Sequence, residues 1–143
     1  MGELNSDDIK SSAQELADLF LGFAGAVRTY ASDHFDELSP EQRNDLKSRV
    51  VQFEDLHDEF AADDIDEKLA QVASKVTDLK TATTKAQNAL KTVVRIEVAT
   101  RIVGGVLDAA QCAAGGDLGG TAQKLADLFG SLGDGADSAT AHS

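Results

Sequence analysis

From Ile9 onward, apolar side chains recur in alternating steps of four and three: Ile9, Ala13, Leu16, Phe20, Phe23, Val27 and Tyr30, with His34 closing the series. This is the spacing of one packed seam along an α-helix, whereas a half-buried strand needs alternation at every second residue. The pattern predicts a first helix from about Ser6 to Glu37. Leu19, Ala24, Ala31 and Phe35 widen the seam, which suits a bundle helix with several neighbours better than a two-stranded coiled coil.

A start signal follows at Ser39-Pro40-Glu41-Gln42. Serine at the N-cap, proline at the first helical position and glutamine three residues after the serine form a capping box. The second helix carries Leu46, Val50, Phe53, then Leu56 or His57, then Phe60, and stops at the stretch Ala61-Ala62-Asp63-Asp64. Asp64 with Glu67 resembles another cap and opens a third seam through Ile65, Leu69, Val72, Val76, Leu79, Thr83, Ala86, Leu90 and Val93. The apolar face continues through Ile96, Val98, Ile102, Val103, Val106 and Leu107. Unbroken to Ala114, this third helix would be about 70 Å long.

Two places are expected to bend it, the threonine-rich Thr81–Thr84 and the pair Gly104-Gly105. Two adjacent glycines inside a helix cost about 2 kcal/mol relative to alanines, which a hinge or the close approach of another helix would offset. Gly115-Gly116 reads as the helix end. Asp117 then caps a short amphipathic helix bearing Leu118, Ala122, Leu125, Leu128, Phe129 and Leu132, and residues 133–143 have no apolar periodicity.

The predicted fold is therefore all-α: an antiparallel bundle of about three long amphipathic helices and one short C-terminal helix. Residues 1–132 make one domain and 133–143 a flexible tail. A third helix that outruns the second by about 40 Å needs either the first and terminal helices or a second subunit to cover its distal half, and this predicts a homo-oligomer, whereas a hinge at 81–84 or 104–105 would fold the distal half back into a compact monomer.

Charge divides the chain. Residues 1–67 hold 18 acidic and 5 basic side chains, whereas 68–114 hold 7 basic and 3 acidic ones. Lys75, Lys80, Lys85, Lys91, Arg95 and Arg101 would flank a seam facing the acidic helices, or else meet anionic lipid or an acidic partner. A net charge of −12 without a basic, aromatic-rich motif argues against nucleic acid.

No catalytic or cofactor machinery is legible. Glu54-Asp55-Leu56-His57 has the Glu-x-x-His spacing of a di-metal bundle, but no second pair exists to complete it. Cys112, the sole cysteine, has no basic neighbour to stabilise a thiolate, and the glycine pairs lack the Lys-Ser/Thr of a phosphate loop. MGELNS has the form of a myristoylation site but no basic patch beside it.

The chain has neither a signal-peptide pattern nor an apolar run long enough to span a bilayer, so it is expected to be soluble when made. These features predict a non-enzymatic interaction module. Its apolar face, Val98, Ile102, Val103, Val106 and Leu107, would meet a protein partner or a second copy. The alternative is a membrane-active protein, lipid-binding or pore-forming-like, soluble until it meets a membrane surface.

Overall fold

The computed structural model describes residues 6–141 apart from 63 and 94, with side-chain burial described between 8 and 132. Among them are six α-helices and no strand: α1 (Ser6–Asp33), α2 (Pro40–Ala61), α3 (Ile65–Gln71), α4 (Val76–Leu90), α5 (Ile96–Ala114) and α6 (Leu118–Ala141). The MGELNS motif lies almost wholly outside the described residues, and so does His142. The fold is an all-helical bundle around one core, into which the apolar seams of the helices converge.

The seam of α1 is buried as its spacing requires, from Ile9 to Tyr30. It meets α2 through three phenylalanine contacts: Phe20 with Phe60 and Phe23 with Phe53, both edge-to-face with centroids 5.0 Å apart, and Phe20 with Phe53 at 6.4 Å. These geometries suit the ring quadrupoles and set α1 and α2 antiparallel. Leu56 rather than His57 fills the seam position of α2.

Helix α1 ends at Asp33, four residues before the predicted end, and residues Phe35–Glu37 tighten into a 3-10 turn. Phe35 turns outward, where the Arg43 guanidinium lies over its ring, 3.7 Å from the centroid. Arg43 Nε and Nη2 also donate to the Phe35 carbonyl, at 3.2 and 3.0 Å. The same carbonyl accepts from Leu38 N at 3.3 Å, and the arginine holds the turn to the start of α2.

The capping box at Ser39 is present with both of its hydrogen bonds. The expected cap at Asp64 is not. Its backbone is already helical (φ −60°, ψ −24°) and its side chain makes no capping bond, whereas an N-cap needs extended backbone.

The single long third helix is replaced by three. The chain breaks at Val72, where a 3-10 turn over Ala73–Lys75 precedes α4, and again at 91–95. Neither expected bend is used. At Thr81–Thr84 the helix is continuous, and Thr83 donates its hydroxyl to the Leu79 carbonyl, 2.8 Å away, within it. At the second break the β-branched run Thr92-Val93-Val94 follows Lys91, and Thr92 Oγ1 donates back to the Ala89 carbonyl. That local bond competes with helix continuation.

Helix α5 then returns through the bundle, and its continuity shows what the glycine pair does. A Cβ on Gly104 would sit 2.5 Å from Arg49 Nη1, and one on Gly105 would sit 2.9 Å from Leu128 Cδ1. The glycines admit α2 on one side and α6 on the other, so they mark close approach rather than a hinge. The turn between α5 and α6 is a Schellman motif. Gly116, at φ +73°, donates to Ala113 O at 3.0 Å, and Asp117 N donates to Cys112 O at 3.0 Å. Asp117 caps α6 as predicted, accepting from Gly120 N at 2.9 Å. Helix α6 runs on to Ala141, through most of the segment expected to be a loose tail.

Contacts fix the directions of the other helices. Lys80 of α4 reaches Ser12 and Glu15 of α1, while Gln87, further along α4, lies nearest Gly22, so α1 and α4 run parallel. Arg49 lies over Gly104 and Leu56 near Gln111 and Ala114, so α2 and α5 also run parallel.

Candidate functional site

The face predicted to meet a partner is not open. Val98, Ile102, Val103, Val106 and Leu107 are all buried, at 6 % exposure or less. The reason lies in the break at 91–95: once the distal half folds back, α2, α4 and α6 cover it. The length argument for a second subunit goes with it. Among the described residues no helix is long and apolar enough to cross a membrane.

The basic side chains do not form one stripe. Lys80 bridges to α1, donating to Ser12 Oγ at 3.0 Å and lying 3.3 Å from Glu15 Oε2. Arg28 pairs with Glu54 between α1 and α2. Lys75 lies 3.7 Å from Asp78 in the first turn of α4, and Lys85 sits over the Phe129 ring at 5.7 Å. Arg95 is the exposed N-cap of α5, and Arg101 lines a shallow groove beside Gly104 and Gly105. Lys91 stands elsewhere, at a pocket.

That pocket, of about 380 Å³, opens where α1 and α4 end side by side. It exists because both helices stop there, α1 at its 3-10 turn and α4 at the break after Leu90. Ala26, Thr29, Tyr30, Asp33 and His34 line it from α1, and Gln87, Leu90 and Lys91 from α4 and its end. The His34 ring stacks on Tyr30, centroids 4.2 Å apart, and its Nδ1 donates to Glu37 Oε2 at 2.6 Å. This bond fixes the ring orientation.

Tyr30 is the anomaly of the site. Its residue is 3 % exposed, and its hydroxyl is the one buried side-chain polar atom among the described residues without a hydrogen-bond partner. Burial pushes the phenol above its ordinary pKa, and the negative fields of Glu37 and Glu97 push it further. The group therefore stays neutral, able to donate or accept. Buried polar groups are almost always satisfied, so this hydroxyl, enclosed by the protein, is an exception.

Other places offer less. His57 Nδ1 donates to Asp58 Oδ1 at 3.1 Å, and Glu54 is engaged by Arg28. Among the described residues no three His, Cys, Asp or Glu side chains gather as a metal site would require. The Cys112 thiol is pushed up by burial, then by Asp117 and Asp108, against a smaller opposing effect of Lys124. That environment suppresses the thiolate.

Sequence reasoning placed both Tyr30 and His34 on the α1 seam but drew no site from them. The available signal was the single tyrosine in a seam otherwise built of Phe, Leu, Val and Ala, since a buried tyrosine carries a hydroxyl that must find a partner. No protein-family model, curated protein or solved structure matches the chain.

Proposed function

We propose that this chain is a non-enzymatic helical binding module that takes a small polar ligand in the pocket between the ends of α1 and α4. The observation that carries the reading is the pocket itself, where Asp33, His34, Gln87 and Lys91 converge beside Ala26 and Leu90 at two helix ends. The volume falls in the range of small-molecule sites, and the lining mixes aliphatic carbon with a few convergent polar groups.

The test is an NMR fragment screen on the isotope-labelled full chain. Hits should shift the amides of Thr29, His34, Gln87 and Lys91 together. A screen in which no fragment moves those amides, or in which all hits map elsewhere, would overturn the reading.

A further inference from the structure

We propose a second ligand site, independent of the pocket at the ends of α1 and α4: the groove at the Gly104-Gly105 pair of α5, flanked by α2 and α6, takes the carboxylate of a small organic monoanion on the Arg49 guanidinium.

The two glycines differ in what they do. Gly105 is required by packing, since a Cβ there would drive into buried Leu128. Gly104 is not, because the three atoms nearest to a Cβ there all belong to the Arg49 guanidinium. A helix interior disfavours glycine, and the end of a flexible arginine could swing aside for alanine, so core packing gives no reason for Gly104. What this glycine secures is the place of the guanidinium, laid against the α5 backbone in the lining of a groove of about 330 Å³.

That guanidinium is held by one edge and open at the other. Arg49 Nε donates to Asp45 Oδ2 at 3.0 Å, which fixes the plane of the group. Nη1 and Nη2 have no acceptor among the described residues. Neither is enclosed, since the Tyr30 hydroxyl is the one buried side-chain polar atom left without a partner, and the Arg49 side chain is 25 % exposed. Two N–H donors in one plane, held in the lining of an open groove, match the two oxygens of a carboxylate.

The charges around the guanidinium select the ligand's own charge. Arg101 and Lys124 line the groove with Arg49, against Asp108 and Asp127, and none of the other four has an ion pair within 4.0 Å among the described residues. The lining is thus one positive charge in excess. Nearby clefts differ: the one between the ends of α2 and α5 is lined by Asp55 and Glu59 with no cation, and the one at Cys112 sets Asp108 and Asp117 against Lys124 alone. Both aspartates of the groove are exposed and screened by water, whereas Arg49 is partly buried, so one negative charge is accepted at the guanidinium. A second negative charge on the ligand would meet the aspartates without a cation left to answer it, which favours a carboxylate over a phosphate dianion.

The test titrates butyrate, its neutral isostere butyramide and inorganic phosphate into the isotope-labelled full chain at equal ionic strength. Butyrate should move the Gly104 and Gly105 amides and the Arg49 Nε–H resonance saturably, with a Kd at least about tenfold below that of butyramide. The amides of Thr29, His34, Gln87 and Lys91 should stay still. Arg49→Lys keeps the charge but loses the planar fork, and should weaken butyrate by roughly threefold or more. Gly104→Ala should weaken it by a similar factor without lowering Tm, because the alanine methyl displaces the guanidinium and leaves the core intact. No saturable shift with butyrate, butyramide binding as tightly, or parent-like affinity in either variant would overturn the site. Phosphate binding more tightly than butyrate would overturn the carboxylate assignment.

Discussion

Replacing Tyr30 with phenylalanine removes one oxygen from the core and keeps everything else the ring does. The Phe ring fills the same seam position and still stacks on His34, whose centroid lies 4.2 Å from that of Tyr30. What disappears is a hydroxyl without a partner. An unsatisfied buried group of this kind costs about 1–3 kcal/mol, so we expect Tyr30→Phe to be more stable than the parent by about 1 kcal/mol. A chain of 143 residues has an unfolding entropy on the order of 300 cal/mol/K, which makes that gain an upward shift in Tm of about 3 °C. Circular dichroism melts of the two proteins at pH 7 measure it. A second readout comes from alkaline pH. The phenol's pKa is raised in the folded chain above its ordinary 10.0, so above that pH the unfolded chain releases a proton that the folded chain keeps. This contribution to stability is whole below pH 10 and is lost as the pH climbs toward the raised value, and the phenylalanine variant should lack that component of the alkaline loss. A Tm lowered by about 3 °C in Tyr30→Phe would refute the reasoning, because it would mean that the hydroxyl is hydrogen-bonded and contributes to stability.

The glycine pair gives a contrast within two adjacent residues. Gly104→Ala displaces only the end of a flexible arginine while gaining about 1 kcal/mol of helix propensity, so thermal melts should show no loss; Gly105→Ala drives into buried Leu128 and should lower stability by about 1 kcal/mol net. Gly116→Ala, at φ +73°, should cost about 1–2 kcal/mol in urea denaturation. Asp117→Ala should cost about 1 kcal/mol in the same assay by removing the cap on Gly120. Cys112 should be alkylated by iodoacetamide at pH 8 more slowly in the native chain than in urea, since its raised pKa belongs to the folded environment.

Where side-chain spacing and cap chemistry coincide, the fold was legible before the structure: the seam of α1, the box at Ser39, the turn at Gly115-Gly116 and the cap at Asp117. The breaks after Gln71 and Leu90 were not, because the apolar rhythm runs through them. Leu69, Val72 and Val76 are all buried on either side of the first break, and Leu90 and Val93 on either side of the second. A seam that keeps its phase while the chain changes direction looks like one helix, and no proline or glycine marks either place. The Thr92-Val93-Val94 run was the one available hint. That omission propagated into function, since the apolar face of α5 looked uncovered only on an unbroken rod. The pocket was illegible for the same reason: it is formed by the ends of two helices more than fifty residues apart in sequence.

The directions of the helices bear on how the chain assembles. The α1–α2 and α5–α6 pairs are hairpins closed by short turns, so each can form from local contacts. The parallel pairs, α1 with α4 and α2 with α5, close only after the intervening chain has been laid down, and their loops carry a larger entropy cost. This predicts that the two hairpins form early and that α3–α4 is the span that docks them. The segment 91–95 lies after α1, α2, α3 and α4 and before the α5–α6 hairpin. A chain cut there would yield two polypeptides, each holding a complete hairpin, whose remaining contacts are all tertiary, and mixing them should regenerate the helical bundle without a peptide bond between its halves.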